Sequence, residues 1–184
     1  MAQDFKPLRQ RGFILHFGAL LLNLAGVGFI ILQAVMQQER RLFILYLIAG
    51  VILFLPVPIV AYRLFALVRS KYSVDREGIG IQWGLREVLI PIANIEWVRL
   101  ASDLVYDLPL PPFSVQGAVL GSRHLSDLGH IEFIASSASE LILIATKDHV
   151  YAISPKDYYG FKKAFEKRGT PACFIKNTGY SAAG

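Results

Sequence analysis

The sequence predicts an α+β membrane protein: an N-terminal two-helix transmembrane hairpin, then an antiparallel β-barrel or sandwich closed by a C-terminal amphipathic helix. Three features carry that reading. Residues 13–36 are apolar except for His16, Asn23 and Gln33, and residues 42–62 contain no charged residue. From Tyr72 onward continuous apolarity gives way to short apolar runs separated by glycine and charged turns. Near the end, Ser154-Pro155-Lys156-Asp157 has the composition of a helix start. The organisation that follows is residues 1–71 as hairpin and juxtamembrane segment, 72–168 as one small domain, and 169–184 as a tail.

At about 1.5 Å rise per residue, each apolar run is long enough to cross a hydrocarbon core roughly 30 Å thick. The short 37–41 segment between them makes the pair antiparallel. Lys6, Arg9 and Arg11 precede the first helix, and Arg63, Arg69 and Lys71 follow the second, whereas the connecting loop has Arg40 and Arg41 beside Glu39. The positive-inside tendency places both termini in the cytoplasm. The first run is longer than a signal-peptide core and a second run follows at once, so an uncleaved helix is expected. Asn23 sits near mid-depth and is expected to serve as packing glue, bonding across to the second helix or to another copy. His16 and Gln33 lie near the interfaces, where solvation is expected. Pro56 and Pro58 each remove a backbone donor and are expected to kink or loosen the second helix. No acid or lysine lies deep in either helix, which gives no support to a proton relay or ion pathway.

In the second part, strands are expected at 72–74, 79–83, 87–91, 95–101, 129–136, 141–146 and 149–153, most of them separated by turn residues such as 75–78 and 84–86. The pattern is that of an antiparallel meander. Residues 103–116 contain Pro109, Pro111 and Pro112 and read as a long loop. Ser154 is the expected N-cap, with Pro155 at the first helical position and Asp157 in the first turn. Tyr158, Phe161 and Phe165 share one face of that helix, and Lys156, Lys163 and Lys167 lie on another. Gly169 and Pro171 are expected to stop it.

A strand meander closed by one C-terminal helix is the plan of a pleckstrin-homology-like (PH-like) barrel. Residues 72–84 (YSVDREGIGIQWG) and 88–98 (VLIPIANIEWV) resemble the opening of bacterial PH-like domains, with the Ile-Pro-x-x-x-Ile turn after the first hairpin. Gly117, Gly121 and Gly129, then 141–146 (LILIAT), 151–155 (YAISP) and Phe161, resemble the second half of such a domain. The resemblance covers roughly 72–167 and implies a fold more than an activity.

The chain of 184 residues carries a formal charge of +5, with basic residues grouped at the membrane flanks and in the late helix. Such grouping suits an anionic leaflet better than nucleic acid. Arg63, Arg69, Lys71, Lys163 and Lys167 are the candidate anionic-lipid contacts. A single cysteine, Cys173, excludes an internal disulfide. The stretch 122–130 offers Ser122, His124, Asp127 and His130, but without the structural context of a catalytic or metal site it reads as a polar loop entering a strand. Phosphoinositide binding would need a basic cradle, and the early turns mix Asp75, Arg76, Glu77, Arg86 and Glu87. The loop 103–116 is the strongest candidate interaction site, through Leu104, Tyr106, Leu108, Leu110 and Phe113. Its alternative role is a lid on the open barrel end. The expectation is a non-catalytic module, with no cofactor, that recruits a protein partner or a second copy at the bacterial inner membrane. A lipid- or small-ligand-sensing membrane protein is the alternative.

Overall fold

The computed structural model describes residues 3–168. The tail, with Gly169, Pro171 and Cys173, lies outside the described residues. The long helix α1 (Gln10–Met36) is followed by α2 (Arg40–Phe54) and α3 (Pro56–Arg69). The break between α2 and α3 falls just before Pro56, and Pro58 lies inside α3. Leu55 separates α2 from α3 yet keeps helical dihedrals of −52° and −41°, so the pair forms a loosened but continuous rod over Arg40–Arg69. That rod runs past the expected end at residue 62, which puts Arg63 and Arg69 on a helix instead of a juxtamembrane linker.

Among the described residues there are nine strands, in chain order β1 (Gln3–Phe5), β2 (Lys71–Val74), β3 (Gly78–Trp83), β4 (Arg86–Pro91), β5 (Ile95–Leu100), β6 (Val119–Leu125), β7 (Gly129–Ala135), β8 (Ile142–Thr146) and β9 (Val150–Ile153), before α4 (Tyr158–Glu166). They form two sheets, one ordered β1-β2-β3-β4 and one ordered β5-β8-β9-β7-β6. The expected meander holds for the first sheet only. In the second, β9 inserts between β8 and β7 and pairs with β7 in parallel. The two sheets do not join into a closed barrel, so of the two predicted forms the sandwich is the one that occurs.

Two strands went unforeseen. β1 adds an N-terminal edge to β2, with Phe5 opposite Tyr72. β6 and β7 turn 122–130 from an expected loop into a hairpin in which His124 faces His130.

One apolar cluster fills the space between the sheets, and a second covers the outer face of the larger sheet. β8 alternates between them, Ile142 and Ile144 inward, Leu143 and Ala145 outward. Both faces are covered, which explains its unbroken apolar sequence. Ala66 and Leu67 of α3, and Phe161, Ala164 and Phe165 of α4, join the inner cluster. The expected face of the last helix is therefore correct, with Tyr158 partly buried beside it.

Its cap is not the expected one. Asp157 accepts the Gly160 N–H at 2.8 Å, whereas Ser154 is buried and its hydroxyl accepts the N–H groups of Ser136 and Ser137 at 2.8 and 3.2 Å. Pro155 bridges to Pro7 instead of opening the helix. Two buried backbone donors outcompete a solvent-exposed cap for the same hydroxyl.

Tyr72 ties these elements together. It is fully buried, donates to the Ile134 carbonyl at 2.9 Å and receives the Ser154 N–H at 3.5 Å. Burial drives its phenol well above its ordinary value, opposed by the bond from Ser154 and by Arg9. A folded pKa above the unfolded one means that this contribution is intact below about pH 10 and is lost as the pH rises beyond it. Tyr72→Phe is expected to remove that alkaline limb from a melting-temperature series while costing about 1–2 kcal/mol at neutral pH.

Candidate functional site

The loop between β5 and β6 is pinned along most of its length. A 3₁₀ turn (Ala101–Asp103) starts it, with the Ala101 N–H donating to the Leu141 carbonyl at 2.8 Å. Leu104, Leu108 and Leu110 then lie against the outer cluster of the large sheet. The Arg123 Nε donates to the Leu110 carbonyl at 3.1 Å, and the Ser114 hydroxyl to that of Pro111 at 2.7 Å. Pro111 is buried beside Gly121, where an added Cβ would lie 3.1 Å from the Pro111 Cβ. The Tyr106 hydroxyl donates to the Asp127 carboxylate in the β6–β7 turn, and that bond raises its pKa.

The loop therefore divides by function of residue. Its leucines cover a sheet face, as a lid would, though on the outer face and not at a barrel end. Val105 is 99% exposed and Phe113 88% exposed, Phe113 with a φ of 62° that a bulky side chain rarely adopts. Of the five expected interaction residues, Leu104, Leu108 and Leu110 are packed, while Tyr106 and Phe113 face outward. Val105, a residue outside that group, joins them. The division of packed from displayed side chains in an irregular segment has no sequence signature.

A second assembly joins the helices to the domain. Gly12 of α1 meets Gly117 of the turn before β6 so closely that a Cβ on Gly12 would lie 2.2 Å from the Gly117 Cα. His16, expected to be solvated, is buried here, and its Nδ1 is 2.8 Å from the Gly12 carbonyl oxygen. The Arg9 guanidinium donates to the Ser70 carbonyl at the end of α3, and burial lowers its pKa. The Ser70 hydroxyl turns back to the Leu67 carbonyl at 2.6 Å.

The basic candidates fall into two groups. Arg63, Arg69 and Lys71 gather where α3 leaves for β2, with Arg69 over the Phe65 ring at 5.5 Å and Lys71 3.8 Å from Asp4. Lys163 is exposed on α4 and Lys167 is exposed at its C-cap. The end of that helix is held through Arg168 to the carbonyl of Val74, at the end of β2 remote from α3. Asn23 bonds within its own helix, Nδ2 to the Ala19 carbonyl at 3.4 Å, and its Oδ1 has no hydrogen-bond partner among the described residues.

Within 122–130 the acid and one histidine are engaged by neighbours. Asp127 is engaged by Tyr106, and His130 stacks edge-on against His149 at 5.3 Å. Among the described residues no group of three or more His, Cys, Asp or Glu side chains is placed to hold a metal ion.

Residues 70–169 match the family described as "Bacterial PH domain". An uncharacterized protein of Clostridium acetobutylicum is 27% identical over 112 residues, covering 58% of this chain and 38% of that protein. The chain thus spans well under half the length of that relative. No solved structure matches it.

Proposed function

The chain belongs to the bacterial PH domain family, and from that premise we propose a membrane-anchored, non-catalytic module. It recruits or oligomerises protein at the cytoplasmic face of a bacterial inner membrane. Support for the anchor is the surface of its helices. Gln10–Met36 and Arg40–Arg69 are long and apolar enough to cross a membrane, and only 6% of each apolar window is buried inside the protein. A soluble protein would hide such faces in its core; here Leu22, Val35, Leu45 and Val51 point outward. The basic group Arg63, Arg69 and Lys71 at the end of α3 suits an anionic cytoplasmic leaflet.

The observation that carries the recruitment reading is the pinned loop that displays Val105 and Phe113. Holding two apolar side chains in water on an ordered loop is unfavourable, and a partner that covers them offsets it. The full chain in lipid nanodiscs, purified with whatever accompanies it, is expected to carry a stoichiometric protein or to form a defined assembly of itself. The double variant Val105→Ser, Phe113→Ser is expected to weaken that association at least tenfold and leave the melting temperature within about 2 °C, as exposed substitutions rarely change stability. A lone protein enriched in one lipid or small molecule would overturn recruitment in favour of the sensor.

A further inference from the structure

The turn between β3 and β4 carries an exposed leucine next to the helix that leads into the domain. Gly84 has a φ of 62°, and a Cβ added to it would lie 3.0 Å from the Ala66 Cβ and 3.5 Å from the Tyr62 hydroxyl. The turn is therefore seated directly on α3. Tyr62 closes the charge-free run and Arg63 is the first charged residue after it, which sets this contact at the level where the helix leaves hydrocarbon; tyrosine belongs at that level. Leu85, the next residue in the turn, is 73% exposed.

Its surroundings hold it there. Trp83 on one side is buried in the inner cluster, and Arg86 on the other is tied to Glu132 at 2.6 Å. Phe65 and Val68, further along α3, also remain exposed. Leu85 is thus exposed beside the stretch of α3, about 9 Å long, that carries the exposed Phe65 and Val68 and the cations Arg63 and Arg69. That is the composition of an interfacial anchor, with apolar groups toward acyl chains and cations toward phosphates.

From this arrangement we infer that the β3–β4 turn is a second membrane contact. Leu85 enters the headgroup–acyl boundary of the leaflet through which α3 leaves, and the domain rests on the bilayer surface instead of swinging from a linker. The inference rests on the membrane-anchored reading above, and its occupant is lipid.

The test uses the full chain in nanodiscs in a Cys173→Ser background, with one fluorescent nitrobenzoxadiazole label per variant at Leu85→Cys, Phe29→Cys or Val105→Cys. Quenching is read from lipids spin-labelled high or deep in the acyl chain and from iodide in the water. The label at 85 is expected to be quenched at least twofold more by the shallow lipid than the label at 105, and to be shielded from iodide. The label at 29 is expected to respond to the deep lipid. If the label at 85 behaves like that at 105 while 29 is quenched, the turn is in water, and this inference fails with the anchor intact. If 29 is not quenched either, the anchor itself is wrong and the inference falls with it. Shielding of 85 from iodide without lipid quenching would mean a protein contact, which also overturns it.

Discussion

Gly12→Val is expected to destabilise the protein by about 3 kcal/mol or more, because the atoms in the way are backbone. An added Cβ would meet the Gly117 Cα at 2.2 Å and its nitrogen at 2.8 Å. Side chains relieve overpacking by changing rotamer, but here a helix and a turn would have to separate. Separation would strip cover from buried His16 and strain the neighbouring bond of Arg9 to Ser70. Gly117→Val is expected to be no milder, since its φ of 93° disfavours any side chain even before the approach to the Gly12 Cα at 2.6 Å is counted. Gly28→Val is the control: it changes the same helix, and nothing lies within 4 Å of its added Cβ. Thermal unfolding of the full chain in micelles separates the cases. Equal loss at 12 and 28 would mean that valine merely weakens the helix; loss at 12 alone makes the joint a structural lock.

That joint is also where reading the chain by itself stops. Residues 13–36 and 42–62 announce their helices by length and apolarity, signals that need no knowledge of neighbours. Ile79, Ile81 and Trp83 alternate as a half-buried strand should, and Asp75 makes its turn by accepting the N–H groups of Glu77 and Gly78 at 2.8 and 3.0 Å. Both are local chemistry, legible in a few consecutive residues. β6 is different: Gly121, Ser122, Arg123 and His124 are all exposed on this edge strand, so no apolar period marks it. The closeness of Gly12 to Gly117, the parallel pairing of β7 with β9, and the diversion of Ser154 to Ser136 and Ser137 are facts of tertiary assembly. Each sets residues far apart in the chain against a sound local preference, and the local preference loses. The candidate loop is intermediate: its prolines and apolar content stood out, but only packing divides Leu104, Leu108 and Leu110 from Val105 and Phe113.

The largest single truncation effect is expected at Phe161. Its ring has no exposed surface and meets the Phe5 ring edge-on at 5.4 Å, so it joins α4 to β1 across the inner cluster. Phe161→Ala is expected to cost about 3–5 kcal/mol, the loss of apolar transfer plus a cavity that helix and sheet cannot both close on. Phe161→Leu keeps most of the volume and is expected to cost less than half as much. Trp83, buried in the same cluster, makes intrinsic fluorescence a reporter of denaturant unfolding for the full chain in micelles. Phe5→Ala tests the coupling: measured with Phe161→Ala as a double-mutant cycle, the aromatic pair is expected to give an interaction energy of about 0.5–1.5 kcal/mol. Such coupling would make the N-terminal strand and the last helix parts of one core, both leading back to the joint, since β1 is followed at once by Arg9 and Gly12. A Phe161→Ala variant that unfolds at the denaturant concentration of the parent would instead make α4 a peripheral attachment and leave the sandwich closed by α3 alone.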